Sequence, residues 1–264
     1  MNMEYESQYI DNLRRILHAG DYRKGRNGGT FSLPGIQLNF DVSITLPILT
    51  KRRIYYKGIA GEYAAFIRGA NHLTDFKKWG CNFWDAWADS NGNIKSDYGN
   101  SWMDYNDTNQ MEQALNMLHV NPHSRRIMIN AWRPDRIDEL SLPCCHFNYQ
   151  FYANKETKTL DLIWTQRSAD WMIGVPSDAI TATIMLNQFA DLAMLKPRRV
   201  IMNFGDAHIY EDHITDAGKY LLQPSRLPPK YTFHTQHDLY SFIPSDLEVH
   251  DYDPSNPIKF ELKV

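Results

Sequence analysis

Helical and strand periods of hydrophobicity alternate along this chain of 264 residues, and few folds accommodate that pattern. Apolar residues recur with helical spacing over residues 7–19, 58–69, 108–118 and 177–195. Segments rich in aromatic and β-branched residues, typical of strands, occupy 30–40, 126–132, 146–153, 159–167 and 199–204. The alternation predicts an α/β (α+β) fold, in which helices pack against a sheet.

Finer expectations concern where these elements break or end. Pro34-Gly35 should divide the first strand segment into two short strands, and a helix should follow Asp206. The segment 91–109 is rich in turn residues, and the proline-rich segment 224–257 should mostly wrap the surface. Because neither a linker nor an internal repeat divides the chain, we expect a single domain over residues 1–264.

Composition and charge narrow the class of protein. The formal net charge of −3 argues against a general nucleic-acid binder, which would carry a basic excess. No stretch approaches the roughly 20 apolar residues of a membrane span, and the opening MNMEYESQYIDNLRR carries acids where a secretion signal needs basic and apolar residues. The three cysteines, two of them adjacent, do not suggest a disulfide framework. We therefore expect a cytoplasmic protein with no nucleic-acid or membrane partner.

The segment LPCCHFNYQFY places a cysteine directly before a histidine at the start of a predicted strand. A thiol there could be a nucleophile, but attack on carbon requires the thiolate and hence a positive charge or helix dipole nearby. The arginine-bearing segments HSRRI and TQRSAD are candidates for that charge. The alternative is that Cys144 and Cys145 are small buried hydrophobic residues.

Two of these segments also suit a phosphate. Residues 124–126 (SRR) and 166–168 (QRS) combine guanidinium groups with hydroxyls, which suggests a phosphomonoester ligand. The glycine-rich GRNGGT at 25–30 could form a phosphate-binding nest. Surface salt bridges and a plain turn are the alternatives.

The segment GDAHIYEDH places His208, Tyr210 and His213 after a buried strand, where α/β proteins often bind ligands. These polar groups could bind a sugar hydroxyl. A metal site is the competing interpretation, but a spacing of five between His208 and His213 does not bring two ligands onto one helical face as well as four does. We therefore expect no metal.

Segments from about Gly25 to the carboxyl end resemble the thymidylate synthase family in the same order. They are EYAAFIRGANHL, NFWDAWADSNGNI with YGNSW, NPHSRRIMINAW, LPCCHFNYQF, QRSADWMIGVPSD, GDAHIYEDH and YDPSNPIKF. The resemblance implies a thymidylate synthase-type fold with a large mixed sheet packed against helices, one face of the sheet forming a homodimer interface. It also implies transfer of a one-carbon unit from 5,10-methylenetetrahydrofolate to carbon 5 of a pyrimidine nucleotide.

The resemblance further implies roles for individual residues. Cys145 matches the nucleophile and His146 follows it, while Cys144 matches no catalytic thiol. Ligands of the nucleotide phosphate would be Arg167 and Ser168, with Arg125 and Arg126 reaching the phosphate across the dimer interface. A further phosphate ligand would be Arg26, with Arg23 as the alternative.

The remaining roles concern protons, folate and sugar. Glu62 matches an acid that manages protons through ordered water, and Tyr98 an aromatic residue near the reacting carbon. His208 and Tyr210 match the pair that binds the sugar hydroxyl. Trp84 and Trp87 could instead be core residues, and Glu62 a helix-surface acid. The residues implied at the folate are Trp84, Trp87, Asp170 and Gly174.

The most informative departure from the family pattern is Ser177-Asp178, where thymidylate synthases have phenylalanine-asparagine. An amide can donate to the carbonyl at position 4 of uracil and accept from N3–H. A carboxylate can only accept, and an unpaired buried polar group costs about 1–3 kcal/mol. Asp178 is similar to the pattern of phage deoxycytidylate hydroxymethylases, which indicates dCMP as substrate. The alternative is that either residue caps a helix beginning near 177.

The product depends on whether hydride or water reacts with the one-carbon group. The polar ending PIKFELKV should admit water and so favour hydroxymethylation of dCMP. Retention of Trp84 favours the alternatives, a dCMP methyltransferase or a dUMP-specific thymidylate synthase or hydroxymethylase. A silent RNA-binding relative would be expected to lose Cys145 or Glu62, and both are present.

Overall fold

A computed structural model describes residues 5–263 of the chain. The first residues of the acidic amino-terminal segment discussed above lie outside this range. The helices are α1 (Tyr5–Ala19), α2 (Tyr56–Phe66), α3 (Leu73–Lys78), α4 (Gly99–Met103), α5 (Gln110–Val120), α6 (Gly174–Leu192) and α7 (Ile214–Leu222). None of the helices within residues 5–263 is both long and apolar enough to cross a membrane.

Nine strands form two sheets in the described residues. They are β1 (Asp21–Gly25), β2 (Gly28–Asp41), β3 (Met128–Asn130), β4 (His146–Asn154), β5 (Thr159–Gln166), β6 (Ala169–Asp170), β7 (Lys196–Tyr210), β8 (Lys230–Phe233) and β9 (Leu247–His250). The large sheet has seven strands in the order β1-β2-β7-β5-β4-β3, with β6 also pairing with β7. It is mixed, because β5 runs parallel to β7 whereas β2 runs antiparallel to it. The predicted fold class, a large mixed sheet packed against helices, is confirmed.

Helix α6 lies in the core. Its residues from Ala179 to Ala190 are all buried and none carries a charge. A helix that is uncharged and mostly apolar on every side is covered on every side, and α6 lies against β5, β7 and α2. The helix begins at Gly174, three residues before the expected start, because Pro176 is tolerated in a first helical turn.

The expectation of two short strands at 30–40 was wrong. Strand β2 is continuous, and its partner register passes from Pro34 opposite Asp206 to Ile36 opposite Phe204. Gly35, at φ +68°, is the residue left out of the ladder on this strand. Since glycine adopts positive φ at little cost, Pro-Gly bends this strand without ending it.

Other boundaries also differ from the sequence-based prediction. Strand β7 continues past Phe204 to Tyr210, and the helix expected after Asp206 begins only at Ile214. The polar residues of GDAHIYEDH pair with β2 and β6, so backbone pairing outweighs the loop-like composition. The strand predicted at 126–132 is shortened to β3. Strands β1, β6, β8 and β9 were not predicted, and the last two pair antiparallel within the proline-rich segment.

Candidate active site

A cavity of about 560 Å³ opens where the segment that follows β5, the start of β4 and the first turns of α6 meet. Helix α2 and the carboxyl-terminal segment complete its walls. Most of the side chains predicted from the sequence line it together. They are Glu62, Trp84, Trp87, Tyr98, Cys145, His146, Ser168, Asp170, Gly174 and Asp178.

The two adjacent cysteines have different surroundings. Cys145 lines the cavity, and its backbone N–H donates to the hydroxyl of Tyr98 at 2.8 Å. Cys144 is buried, with its thiol 3.5 Å from the carbonyl oxygen of Ala131. Only Cys145 is therefore available to a ligand in the cavity, as the sequence-based assignment requires.

The electrostatics of Cys145 differ from the expectation of a thiolate stabilised by arginine. Burial raises the pKa of the Cys145 thiol above its usual value, and the guanidinium of Arg167 only partly opposes this effect. Arg167 is held by its own hydrogen bonds, from Nε to the carbonyl of Cys144 at 2.9 Å and from Nη2 to that of Pro143 at 2.8 Å. Reaction through Cys145 therefore needs a group that accepts the thiol proton.

Glu62, on α2, is the first of two carboxyl groups suited to proton transfer. Burial raises the pKa of Glu62 to about 7, although the indole N–H of Trp84 donates to its Oε1 at 2.8 Å and lowers the pKa. A carboxyl with a pKa near 7 can both take and give a proton at neutral pH. Trp84 is buried and lines the cavity, so it is at once a core residue and part of the site.

Asp178 is the second such carboxyl. Burial raises its pKa to about 8, while a 2.8 Å hydrogen bond from Gln166 Nε2 to its Oδ2 lowers it. Glu62 and Asp170 raise the pKa of Asp178 further through charge repulsion. The alternative that residue 178 caps a helix is wrong, because α6 starts at Gly174 and has no side-chain cap at its first residue.

His146 stays neutral in this site. Burial lowers its pKa to about 3, so its 3.8 Å approach to Asp178 is not an ion pair at neutral pH. Its Nδ1 lies 2.6 Å from the hydroxyl of Tyr149, and its ring packs against Tyr98 and Trp164. His146 therefore orients its neighbours and cannot take up the thiol proton near pH 7.

Aromatic rings form part of the cavity wall. The ring centres of Trp84 and Trp87 are 5.5 Å apart, and Tyr98 stacks on Phe66 at 5.1 Å. Rings arranged in this way can pack against a flat heterocycle. Asp170 ends β6, four residues before α6, and its Oδ1 accepts from the backbone N–H groups of Met172 at 2.8 Å and Ile173 at 3.2 Å.

The phosphate candidates differ in their relation to the cavity. Ser168 lines it, whereas Arg167 and Arg26 are exposed and are not among the lining residues. Arg23 is engaged in an ion pair with Asp206 at 3.2 Å, but Arg26 bonds only the side chain of its neighbour Asn27. The contacts of the described residues therefore favour Arg26 over Arg23 as the free cation of this loop.

His208 and Tyr210 lie within β7, not beyond its end, and their rings are 5.4 Å apart. His208 pairs in register with Asp170, which brings it to the side of the cavity. His213 donates from Nε2 to the carbonyl of Glu261 at 2.8 Å. Over residues 5–263, no group of three or more His, Cys, Asp or Glu side chains is arranged to hold a metal ion.

Arg125 and Arg126 do not reach this cavity. Both are exposed beside β3, at the far edge of the sheet. In the described part of a single chain, these two arginines therefore do not contribute to the cavity.

Three contributors were missed from the sequence. Arg52 lines the cavity and lies 5.0 Å from the ring centre of Phe260. Gln166 is buried behind Asp178, and its place beside Arg167 in QRS is the only signal that could have found it. The third is the apolar lining from the carboxyl-terminal segment: the segment was expected at the site, but its residues Ile258, Phe260 and Leu262 were not expected to line the cavity.

This segment was expected to give the cavity a polar lining, but it contributes Ile258, Phe260 and Leu262 and only one polar side chain, Lys259. Its apolar side chains alternate with polar ones, and Lys263 instead forms an ion pair with Asp212 outside the cavity. The overall polarity of PIKFELKV therefore does not predict how readily water enters the cavity.

A thiol, two carboxyls of raised pKa and a wall of aromatic rings in one cavity of a mixed α/β fold suit an enzyme that works through a nucleophilic cysteine. The sequence model of the thymidylate synthase family matches residues 7–264. The chain belongs to this family, which transfers a one-carbon unit from methylenetetrahydrofolate to carbon 5 of a pyrimidine nucleotide.

Proposed function

We propose that this enzyme hydroxymethylates carbon 5 of dCMP, with Cys145 as nucleophile and Asp178 as the reader of the base. The observation that carries the proposal is that Asp178 lines the same cavity as Cys145 while its carboxyl is bound from behind by Gln166. Residue 178 can then meet the hydrogen-bonding edge of a base whose ring reacts with the thiol.

The raised pKa of Asp178 changes how the base is read. Near pH 7 the group is largely a neutral acid, which offers one O–H donor and one carbonyl acceptor. Cytosine presents the complementary pair, an acceptor at N3 and a donor at its amino group. When the sulfur of Cys145 bonds to carbon 6 and negative charge reaches N3, the Asp178 proton can move to N3 and leave a charge-assisted pair.

The cavity fits the folate that the family uses. Trp84 and Trp87 provide rings for a pterin, and Asp170 at the end of β6 and Gly174 at the start of α6 line the same cavity. Methylenetetrahydrofolate supplies the one-carbon unit when bound. Glu62, with a pKa of about 7, is the residue we assign to accept and return protons at the cysteine and at carbon 5.

Further residues complete the proposed nucleotide site by binding the phosphate and the sugar. We assign Arg26, Arg167 and Ser168 to the phosphate, and His208 and Tyr210 to the sugar hydroxyl. The unused arginines 125 and 126 support a homodimer in which each chain lends this pair to its partner. A shallow groove along β2, β5 and β7, lined by residues including Gln37 and Asn203, leaves one face of the sheet open for such contact.

A dCMP methyltransferase is the second candidate. It is favoured by the apolar side chains of Ile258, Phe260 and Leu262 on the cavity wall, since hydride transfer benefits from a site that excludes water. Specificity for uracil has less support, because residue 178 is an aspartate and not the asparagine whose amide is complementary to uracil.

One assay tests the proposal. The protein is incubated with methylenetetrahydrofolate and, separately, dCMP, dUMP or CMP, and the product mass is measured. A gain of CH₂O on dCMP with release of tetrahydrofolate is the expected result. A gain of CH₂ with formation of dihydrofolate would replace hydroxymethylation by methylation, and reaction with dUMP alone would refute the assignment of Asp178.

A further inference from the structure

Gln166 is held so that it can only donate to Asp178. The indole nitrogen of Trp164 can donate a hydrogen bond but cannot accept one, and its N–H donates to Gln166 Oε1 at 3.0 Å. This contact fixes which end of the amide is oxygen. The amide nitrogen therefore faces Asp178 Oδ2, at 2.8 Å.

The other carboxyl oxygen faces an acceptor. The hydroxyl of Tyr149 donates to the backbone carbonyl of His146 at 3.0 Å, and since it has one proton it must accept from His146 Nδ1–H, 2.6 Å away. A neutral imidazole protonated at Nδ1 has a bare lone pair at Nε2. That atom lies 3.8 Å from Asp178 Oδ1.

The groups around Asp178 oppose its ionisation. Glu62 on α2 and Asp170 on β6 are acids, and both disfavour a charge on residue 178. Neutral His146 offers no compensating charge, and Arg52 and Arg53 line the same cavity without being bonded to residue 178. The other titratable groups of the cavity wall are Tyr55, Tyr98, Cys145 and Lys259.

We propose that Gln166 is a specificity-determining positioning residue, which confines the proton of neutral Asp178 to Oδ1 by donating to Oδ2. The inference rests on the proposed function, in which residue 178 reads the base. A free carboxylic acid can carry its proton on either oxygen, and so can match the amino and N3 groups of cytosine or the carbonyl and N3–H groups of uracil. A carboxyl group whose donor and acceptor oxygens are fixed is complementary to cytosine or to uracil, but not to both.

The test compares two buried glutamines. Gln166→Met keeps the volume of the side chain but cannot donate, and the ratio of kcat/KM for dCMP to that for dUMP should narrow by about tenfold. Gln188 is the matched control, because it is buried in α6 and bonded to Tyr63 and Leu239, away from Asp178. Gln188→Met should lower stability and leave the ratio unchanged.

A second measurement does not depend on turnover. In protein labelled with ¹³C at aspartate carboxyls, the Asp178 resonance is assigned by its absence in Asp178→Asn and followed with pH. Because the Gln166 hydrogen bond lowers the pKa of Asp178, Gln166→Met should move the midpoint upward, whereas Gln188→Met should not move it. Should Gln166→Met fail to fold, Trp164→Phe frees the amide to flip and should narrow the same ratio.

The outcomes separate the two proposals. Wild-type preference for dUMP would end the dCMP assignment, yet the role of Gln166 would stand if Gln166→Met narrowed that preference. An unchanged ratio together with an unmoved midpoint would overturn the role of Gln166 whichever base is used.

Discussion

The two ends of the proposed nucleotide site are built differently. At the base end, which we define as Cys145, His146, Gln166 and Asp178, strands and a buried helix hold each polar group against partners in the same chain. At the phosphate end, defined as Arg26, Arg125, Arg126 and Arg167, the side chains are exposed. The base end is thus preorganised within one chain, whereas the phosphate end depends on loops and, in our proposal, on a second chain.

The difference has a physical origin. Distinguishing cytosine from uracil requires donors and acceptors in fixed positions, and burial supplies both fixation and a strong local electrostatic effect. A phosphate is bound by charge at several points, so exposed guanidinium groups suffice, of which only that of Arg167 is held by carbonyl groups in the part of the chain that the structure describes. Mutations at the base end should therefore alter chemistry and selectivity, and those at the phosphate end should alter KM.

The largest effect is expected at the nucleophile. Cys145→Ala should abolish release of tritium from carbon 5 of the labelled nucleotide, because no sulfur can add to carbon 6. Cys144→Ala, which removes a buried thiol that does not face the cavity, should retain release. If both variants lost tritium release equally, activity would depend on the packing of both cysteines and not on a nucleophile at residue 145 alone.

The next effect concerns Glu62. Glu62→Gln should lower kcat by about 10²–10⁴ and remove the limb of the pH profile with a midpoint near 7. Stability should respond as well. Because the folded-state pKa of Glu62 is raised from 4.5 to about 7, its contribution is present below pH 4.5 and lost as pH rises through 7. Denaturant titrations should show a weaker loss over this range in the variant, and a retained pH limb would assign the proton transfer elsewhere.

Residue 178 tests whether the base end sets selectivity. Asp178→Asn should move preference toward dUMP by about tenfold to a hundredfold in the ratio of kcat/KM values, the effect of about 1–3 kcal/mol for one unpaired buried group. Asp170→Asn, in the same cavity, should weaken folate binding and alter that ratio much less, because Asp170 is the weakest of the groups that raise the pKa of Asp178. If the preference for dCMP over dUMP is unchanged in Asp178→Asn, the base must be recognised by residues outside the base end.

The smallest effect separates the two loop arginines. Arg26→Ala should raise the KM for dCMP by about tenfold through loss of a charge-assisted hydrogen bond, with kcat little changed. Arg23→Ala removes only an exposed ion pair with Asp206, so KM should stay near the wild-type value and stability should change by less than about 1 kcal/mol. The reverse result would exchange the roles of Arg23 and Arg26.

Much of the fold and site could be predicted from local pattern. Periodicity identified α1, α2, α5 and α6 and the central strands, because each buries a face whose repeat is visible in the sequence. Local pattern failed at Gly35 and at the polar end of β7, where pairing with a distant strand decided the structure. It also missed β1, β6, β8 and β9, which are short and contain little periodic signal.

By itself, the sequence determined the family, the cysteine beside His146 and the exchange to aspartate at 178, since these are identities at fixed positions in motifs. Only the tertiary structure decided that His146 is neutral, that Glu62 and Asp178 carry raised pKa values, and that Gln166 faces Asp178 as a donor. The reason is that a pKa or a hydrogen-bond direction depends on burial and on partners from other elements. Those partners meet only when β4, β5, α2 and α6 pack together.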